Sequence, residues 1–242
     1  LAEYLIGTSG WHYDDWQGKF YPEELAKARW LNYYAERFAT VELNNSFYRL
    51  PSEKAFQNWY ESTPGSFVFA VKASRFISHV KRLKDPKDPV DKFMDRAKHL
   101  KNKLGPILYQ LPPNMRRNDG RLESFLEELP GHCENVIEFR DGSWFEDEVL
   151  EMLRRHRVGF CIFEMPSLAS PLAATADFAY VRFHGNDSLY SSNYSDRDLR
   201  KWADRLKELG KDVKKVYVYF NNDVEGYAVN NAHTLRGYLE KK

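Results

Sequence analysis

Six polar residues at the ends of three apolar runs carry the strongest chemical signal in this sequence. The runs read VELN near 41–44, VIEFR near 136–140 and YVRFH near 180–184. Side chains alternate faces along a strand, so Glu42 and Asn44 share one face, as do Glu138 and Arg140, and Arg182 and His184. If the strands are parallel, all six gather at one end of one sheet. His184 has an ordinary pKa near neutrality and is the natural general acid or base, with Glu138 and Glu42 as catalytic partners that would orient it, act as bases themselves or hold the arginines. Arg140 and Arg182 suit a bidentate grip on a carboxylate or phosphate. Asn44 and Asn221 would fix ligand hydroxyls. Lys72 continues the inward face of Val68 and Ala70, so it points into the site as a further anion ligand.

The elements that must position these groups recur about every 20–40 residues. Strands are predicted near Tyr4–Gly7, Thr40–Leu43, Phe67–Val71, Ile107–Gln110, Val136–Phe139, Gly159–Phe163, Phe178–Phe183 and Val216–Phe220, with helical patterns between most of them. Ser52 is placed to cap a helix through Phe56 and Trp59, and Ser195 a helix through Leu199, Trp202 and Leu206. Eight strands with interleaved helices in 242 residues predict a single TIM-like (β/α)8 barrel over 1–242, with chemistry at the C-terminal mouth. A doubly wound open sheet is the alternative. The stretch MPSLASPLAATAD at 165–177 is short and broken by proline, so the helix after strand six is expected to be missing or degenerate.

Two loops stand out. From Trp11 to Tyr21, five of eleven residues are aromatic. Such a loop folds back as a satellite core or offers a stacking platform, with Trp11 and Tyr13, and Trp144 after the fifth strand, as ligand-facing rings. Residues 72–87 hold six Lys or Arg against the single acid Asp85. That bias reads as a solvated loop or as a rim that attracts phosphate. Gln110, Asn222 and Asp223 fall at other strand ends near the same mouth.

Composition narrows the options. With 36 basic and 35 acidic residues the net charge is +1, so a globally basic nucleic-acid binder is not indicated. Cys133 and Cys161 show no metal spacing and read as buried free thiols in a reducing compartment. No run approaches a membrane span and no signal peptide is visible, so a cytoplasmic protein is expected. GxSxG, GxGxxG and the P-loop are absent. One well-placed histidine beside two arginines argues against a metal centre, and no cofactor is expected.

Taken in order, GTSGWHYDDW, FYP, FATVELNNSFYRLP, FAVKAS, LPP, EFRDGSW, YVRFHG, and YFNND followed by AVNNA make the chain resemble the YecE-like proteins, a domain of unknown function. The resemblance spans nearly the whole chain. It implies a TIM-like barrel and puts Trp11, Tyr13, Glu42, Asn44, Lys72, Arg140, Trp144, Arg182, His184 and Asn221 at the family's motif positions. It implies no established activity. Likeness of such barrels to phosphate-ester-cleaving endonucleases suggests nucleic-acid binding by fold analogy alone. The leading expectation is an enzyme, with hydrolysis preferred, acting on a small anionic substrate such as a phosphorylated sugar or nucleotide-like metabolite. The alternatives are a nucleic-acid-binding module using the 72–87 loop and the aromatic loops, and a non-catalytic ligand-binding protein.

Overall fold

A computed structural model describes residues 2–165, 168–185 and 192–240. Its strands are β1 (Glu3–Thr8), β2 (Thr40–Leu43), β3 (Val68–Lys72), β4 (Leu104–Gln110), β5 (Asn135–Glu138), β6 (Gly159–Met165), the two-residue β7 (Leu168–Ala169), β8 (Phe178–Phe183) and β9 (Lys215–Phe220). The long strands pair in parallel in the order β1-β9-β8-β6-β5-β4-β3-β2. A parallel bridge between Ser9 and Glu42 brings the two ends together. The result is a nearly closed eight-stranded parallel barrel, as the strand spacing predicted.

Helices α1 (Trp30–Ala35), α2 (Asn45–Tyr48), α3 (Glu53–Glu61), α4 (Lys87–Ala97), α5 (Asp119–Glu127), α6 (Asp147–His156), α7 (Asp196–Leu209) and α8 (Tyr227–Glu240) fill the connections. Ser52 caps α3 by accepting from the amide of Ala55, and Ser195 caps α7 by accepting from that of Asp198. Each cap stops a chain leaving the barrel rim and turns it back along the outside. Leu199, Trp202 and Leu206 then bury one stripe of α7 against the strands. The link from β6 to β8 differs. Its described part, residues 168–177, contains no helix, and β7 folds back antiparallel on β6. Pro171 removes an amide donor there; Pro166 and Ser167 lie outside the described residues.

Alternation sorts the barrel residues into two shells. Val41, Val71, Ile137, Ile162, Val181 and Val218 face the helices. Leu5, Ala70, Leu108, Val136, Cys161 and Tyr180 fill the middle of the interior. Closure at β1 and β2 depends on Gly7, where a Cβ would sit 2.3 Å from the Thr40 carbonyl oxygen. Tyr34 seals that seam, its hydroxyl accepting from the Thr8 amide at 2.9 Å and donating to the Thr40 carbonyl at 3.1 Å. Above the apolar middle, the interior side chains become polar, and they stay polar to the C-terminal rim.

Candidate functional site

The backbone ladder continues past several strands and fixes the first residues of the rim. The amide of Ser9 donates to Phe220 at 2.8 Å, that of His184 to Glu164 at 3.1 Å, and that of Asn221 to Phe183 at 2.8 Å. Inward parity therefore survives beyond the strand ends, and the side chains of Glu42, Glu138, Arg140, Arg182, His184 and Asn221 meet in one network. Arg182 lies at its centre, 1% exposed. One of its terminal nitrogens donates to Glu138 at 2.6 Å and the other to Glu42 at 2.7 Å. Glu42 is surrounded by donors, also accepting from Tyr180 at 2.6 Å and from the Ser9 hydroxyl. Glu138 accepts from Arg140 Nε as well. Both carboxylates are fully buried, and neutralising partners on this scale are what such burial requires.

This network sets the protonation of its members. Burial disfavours the charged form of Glu138, yet Arg140 and Arg182 outweigh it and hold the carboxyl well below the usual carboxylate range. Burial, reinforced by Arg182, pushes His184 far below the usual imidazole value. Its Nε2 lies 3.0 Å from Arg140 and 3.4 Å from Arg182. Its Nδ1 lies 3.1 Å from the amide nitrogen of Asn221, so both ring nitrogens face N–H groups. The two residues expected to do acid/base chemistry are thus brought together in one buried network, with Glu138 bound to both arginines. At rest these surroundings favour the anionic form of Glu138 and the neutral form of His184.

Lys72 is different. It is 8% exposed, with Nζ 4.1 Å above the Phe47 ring. Among the described residues its ammonium has no hydrogen bond and no carboxylate within ion-pair distance. Burial, then the charge of Arg182, brings its pKa down to about 8, with Glu138 and Glu42 opposing. His79, edge-on to the other side of Phe47, is held neutral at about 4 by burial and by Lys72 itself. The segment beyond Lys72 forms a π-turn at Phe76–Val80, followed by left-handed backbone at Arg82, Leu83 and Asp85. Concentrated backbone strain of this kind persists where surrounding structure over-determines it; here Leu83 is buried as an anchor.

Asp223, at the end of β9, is the principal residue missing from the expected catalytic set. Its Oδ1 is buried without a partner among the described residues. Burial raises its pKa to about 8, with neighbouring Tyr13 opposing, and Glu42 raises it further. Asp223 is thus a neutral acid below that pH, in reach of the charge of Glu42 and Arg182. The strand-end position was visible in the sequence; the desolvation that matters was not.

The aromatic loop divides. Trp16 and Tyr21 are buried core, with Tyr21 stacked on Trp30 at 4.5 Å. Trp11 and Tyr13 instead line a cavity of about 370 Å³ with His12, Asn44 and Trp59. The Tyr13 hydroxyl donates to the Ser9 carbonyl, joining this cavity to the charged network. Asn44 has its Oδ1 buried and unpartnered among the described residues. Trp144 requires a correction. It is fully buried outside the barrel, stacked on Phe139 at 4.7 Å, and its indole donates to the Met115 carbonyl at 2.7 Å. It has no face for a ligand. Glu164 also points outward, accepting from Trp202 at 3.0 Å.

The basic 72–87 segment is less open than its composition suggested. Lys72 faces inward, Arg82 is held by Asn114 at 2.9 and 3.1 Å, and Lys81 lies 3.6 Å from Asp85. Among the described residues no cluster of His, Cys, Asp and Glu could hold a metal ion, and no helix is long and apolar enough to cross a membrane.

Comparison with known proteins agrees with the motifs. A DUF72 family protein from Thermotoga maritima MSB8 superposes with a TM-score of 0.90 at 34% identity, covering 99% of this chain and 100% of its own. A DUF72 family protein from Enterococcus faecalis V583 has the same fold, with a TM-score of 0.83 at 19% identity, covering 99% of this chain and 96% of its own. The UPF0759 protein YunF of Bacillus subtilis is 27% identical over 269 residues, spanning 97% of this chain and 94% of YunF. The family model described as "Protein of unknown function DUF72" matches residues 5–242. Barrel, rim motifs and relatives agree, and the chain belongs to the DUF72 family.

Proposed function

We propose that this protein is an enzyme acting on a small anionic substrate at the C-terminal mouth of its barrel. The observation that carries this reading is the unbalanced charge of the mouth. Lys72, Arg140 and Arg182 supply three cations; Glu42 and Glu138 supply two carboxylates, both committed to the arginines. His184 is neutral. Among the described residues one positive charge is left over, and it resides on the Lys72 ammonium, which lies against the Phe47 ring with no carboxylate within ion-pair distance. A buried cation without a counter-charge is costly, and an anion arriving from solvent relieves that cost.

The remaining groups take roles that follow from their environments. Asp223, whose proton is held to about pH 8, is the proton carrier, in place of His184 and Glu138. His184 offers a fixed hydrogen-bonding edge. The Trp11, Tyr13 and Asn44 cavity receives the uncharged remainder of the substrate, with flat rings for its apolar face and an amide for a hydroxyl.

A panel of small anions tests the reading: inorganic phosphate, sugar phosphates and short carboxylates, followed by thermal shift and calorimetry on wild type and Lys72→Gln. At least one class should bind wild type, with affinity falling more than about tenfold in the variant, the scale of a lost charge-assisted contact of ~1.5–3 kcal/mol. Equal binding by the two proteins would remove the basis of the proposal.

A further inference from the structure

We infer that Lys72 is a nucleophilic amine that forms an imine with the carbonyl carbon of a small aldehyde or keto compound bearing an anionic group. This rests on the anionic-substrate reading and names the substrate class. It goes beyond electrostatic binding because of which cation the site leaves free. Arginine is the better permanent anchor for an anion, and its guanidinium does not deprotonate in proteins. Two arginines are present, and both are spent on carboxylates. Lys72, without an ion-pair partner among the described residues, is the only one of these three cations that can lose its proton and expose a lone pair.

The surroundings favour that loss. Lys72 lies against the Phe47 ring, and the charged or titratable groups that act on it are Arg182, Glu138, Glu42 and Arg140 from the barrel, with neutral His79 from the turn above. Desolvation beside two guanidiniums is a recognised way to activate a lysine, and its pKa of about 8 fits. Its backbone is held firmly. The Lys72 carbonyl accepts from the Ser46 hydroxyl at 2.6 Å, and the next amide, that of Ala73, donates to the Leu108 carbonyl at 2.8 Å. The residue is therefore anchored at the end of β3, at the rim where a (β/α)8 barrel places catalytic groups.

The step balances without a further reagent. The free amine of Lys72 attacks the carbonyl carbon, forming a C–N bond, and the carbonyl π pair moves to oxygen, which takes up a proton. The carbinolamine then loses water, with both amine hydrogens accounted for in the water and the proton transfer, leaving a C=N bond. Protonated, this imine restores the positive charge beside the substrate's own anionic group and serves as an electron sink for the carbon next to it.

Reductive trapping tests the inference. Wild type, Lys72→Met and Lys72→Arg would be incubated with glyoxylate and cyanoborohydride at pH 7.5, then analysed by intact mass and peptide mapping. Circular dichroism establishes that each variant is folded. The expected result is one carboxymethyl group on Lys72 of wild type, formed at least ~10-fold faster than on any exposed lysine because a larger fraction is free amine. Inorganic phosphate should protect it, and the preferential adduct should be absent from both variants. Label spread over surface lysines with Lys72 unmodified overturns the imine. If phosphate binding still depends on Lys72 in that case, the anionic-substrate reading stands alone. If it does not, both fall.

Discussion

Glu138→Gln should lower the stability of the folded protein by about 3–5 kcal/mol, the usual cost of removing one partner of a buried ion pair. Glu138 is fully buried and accepts from Arg140 Nε, from Arg182 at 2.6 Å and weakly from the Cys161 thiol at 3.6 Å. The neutral amide keeps the shape and removes the charge. Among the described residues, two guanidiniums and the Lys72 ammonium would then share Glu42 as the remaining counter-charge of the network. For a chain of this size the loss corresponds to a fall in melting temperature of roughly 10 °C. Denaturant unfolding of wild type, Glu138→Gln, Arg140→Met and the double variant checks it. The double variant should be markedly less destabilised than the sum of the single changes, because Arg140 is the cation left exposed to the loss. A single-variant effect below ~1 kcal/mol would show that the cluster is not held together by its charges.

Lys72→Met should have the opposite sign, stabilising the protein at pH 7 while abolishing anion binding. An unfolded lysine keeps its proton to about pH 10.4, whereas folded Lys72 releases it at about 8. Below pH 8 both states are protonated, and the folded protein bears the full penalty of the buried ammonium. Between about 8 and 10.4 the unfolded chain binds more protons than the folded one, so this group's contribution to stability rises with pH. The gap amounts to roughly 3 kcal/mol. The stability of Lys72→Met relative to wild type should therefore fall by roughly 3 kcal/mol between pH 7 and pH above 10. Asp223 slopes the other way, since its folded pKa of about 8 lies above the ordinary carboxyl value. For that reason the difference between variant and wild type is the quantity to follow. A destabilised Lys72→Met at pH 7 would mean that the ammonium is satisfied within the protein. Retaining a costly charge at the mouth fits a residue kept for function at the expense of stability.

Parity explains how much of this was legible beforehand. Alternation puts Glu42, Lys72, Glu138, Arg182 and His184 on the inner face of their strands, and parallel pairing puts them at one end. Both follow from local geometry, and so does the helix lost between β6 and β8, since Pro171 advertises it. Partner choice does not follow. An inward glutamate calls for an arginine from another strand end, but the linear chain does not reveal that Arg182 bridges Glu42 and Glu138 while Arg140 also binds Glu138. Protonation is equally hidden: His184 reads as a proton shuttle until three-dimensional packing surrounds it with guanidiniums, and Asp223 reads as a loop acid until burial raises its pKa. Trp144 was misplaced because it follows β5 in a short 3-10 turn at Gly142–Trp144, where strand alternation no longer applies. There the turn sends the ring into the outer shell beside Phe139.

The central claim is that Lys72, without an ion-pair partner among the described residues, is the titratable cation of the mouth that meets the anion. Its ammonium can be followed directly by NMR on protein carrying 13C-labelled lysine, with Lys72→Met for assignment, across pH 6–11. A midpoint near 8 that moves upward on addition of phosphate or a short carboxylate is the expected result, because an anion that binds the ammonium must hold its proton. A Lys72 signal titrating above 10, unmoved by every anion tested, would contradict the account.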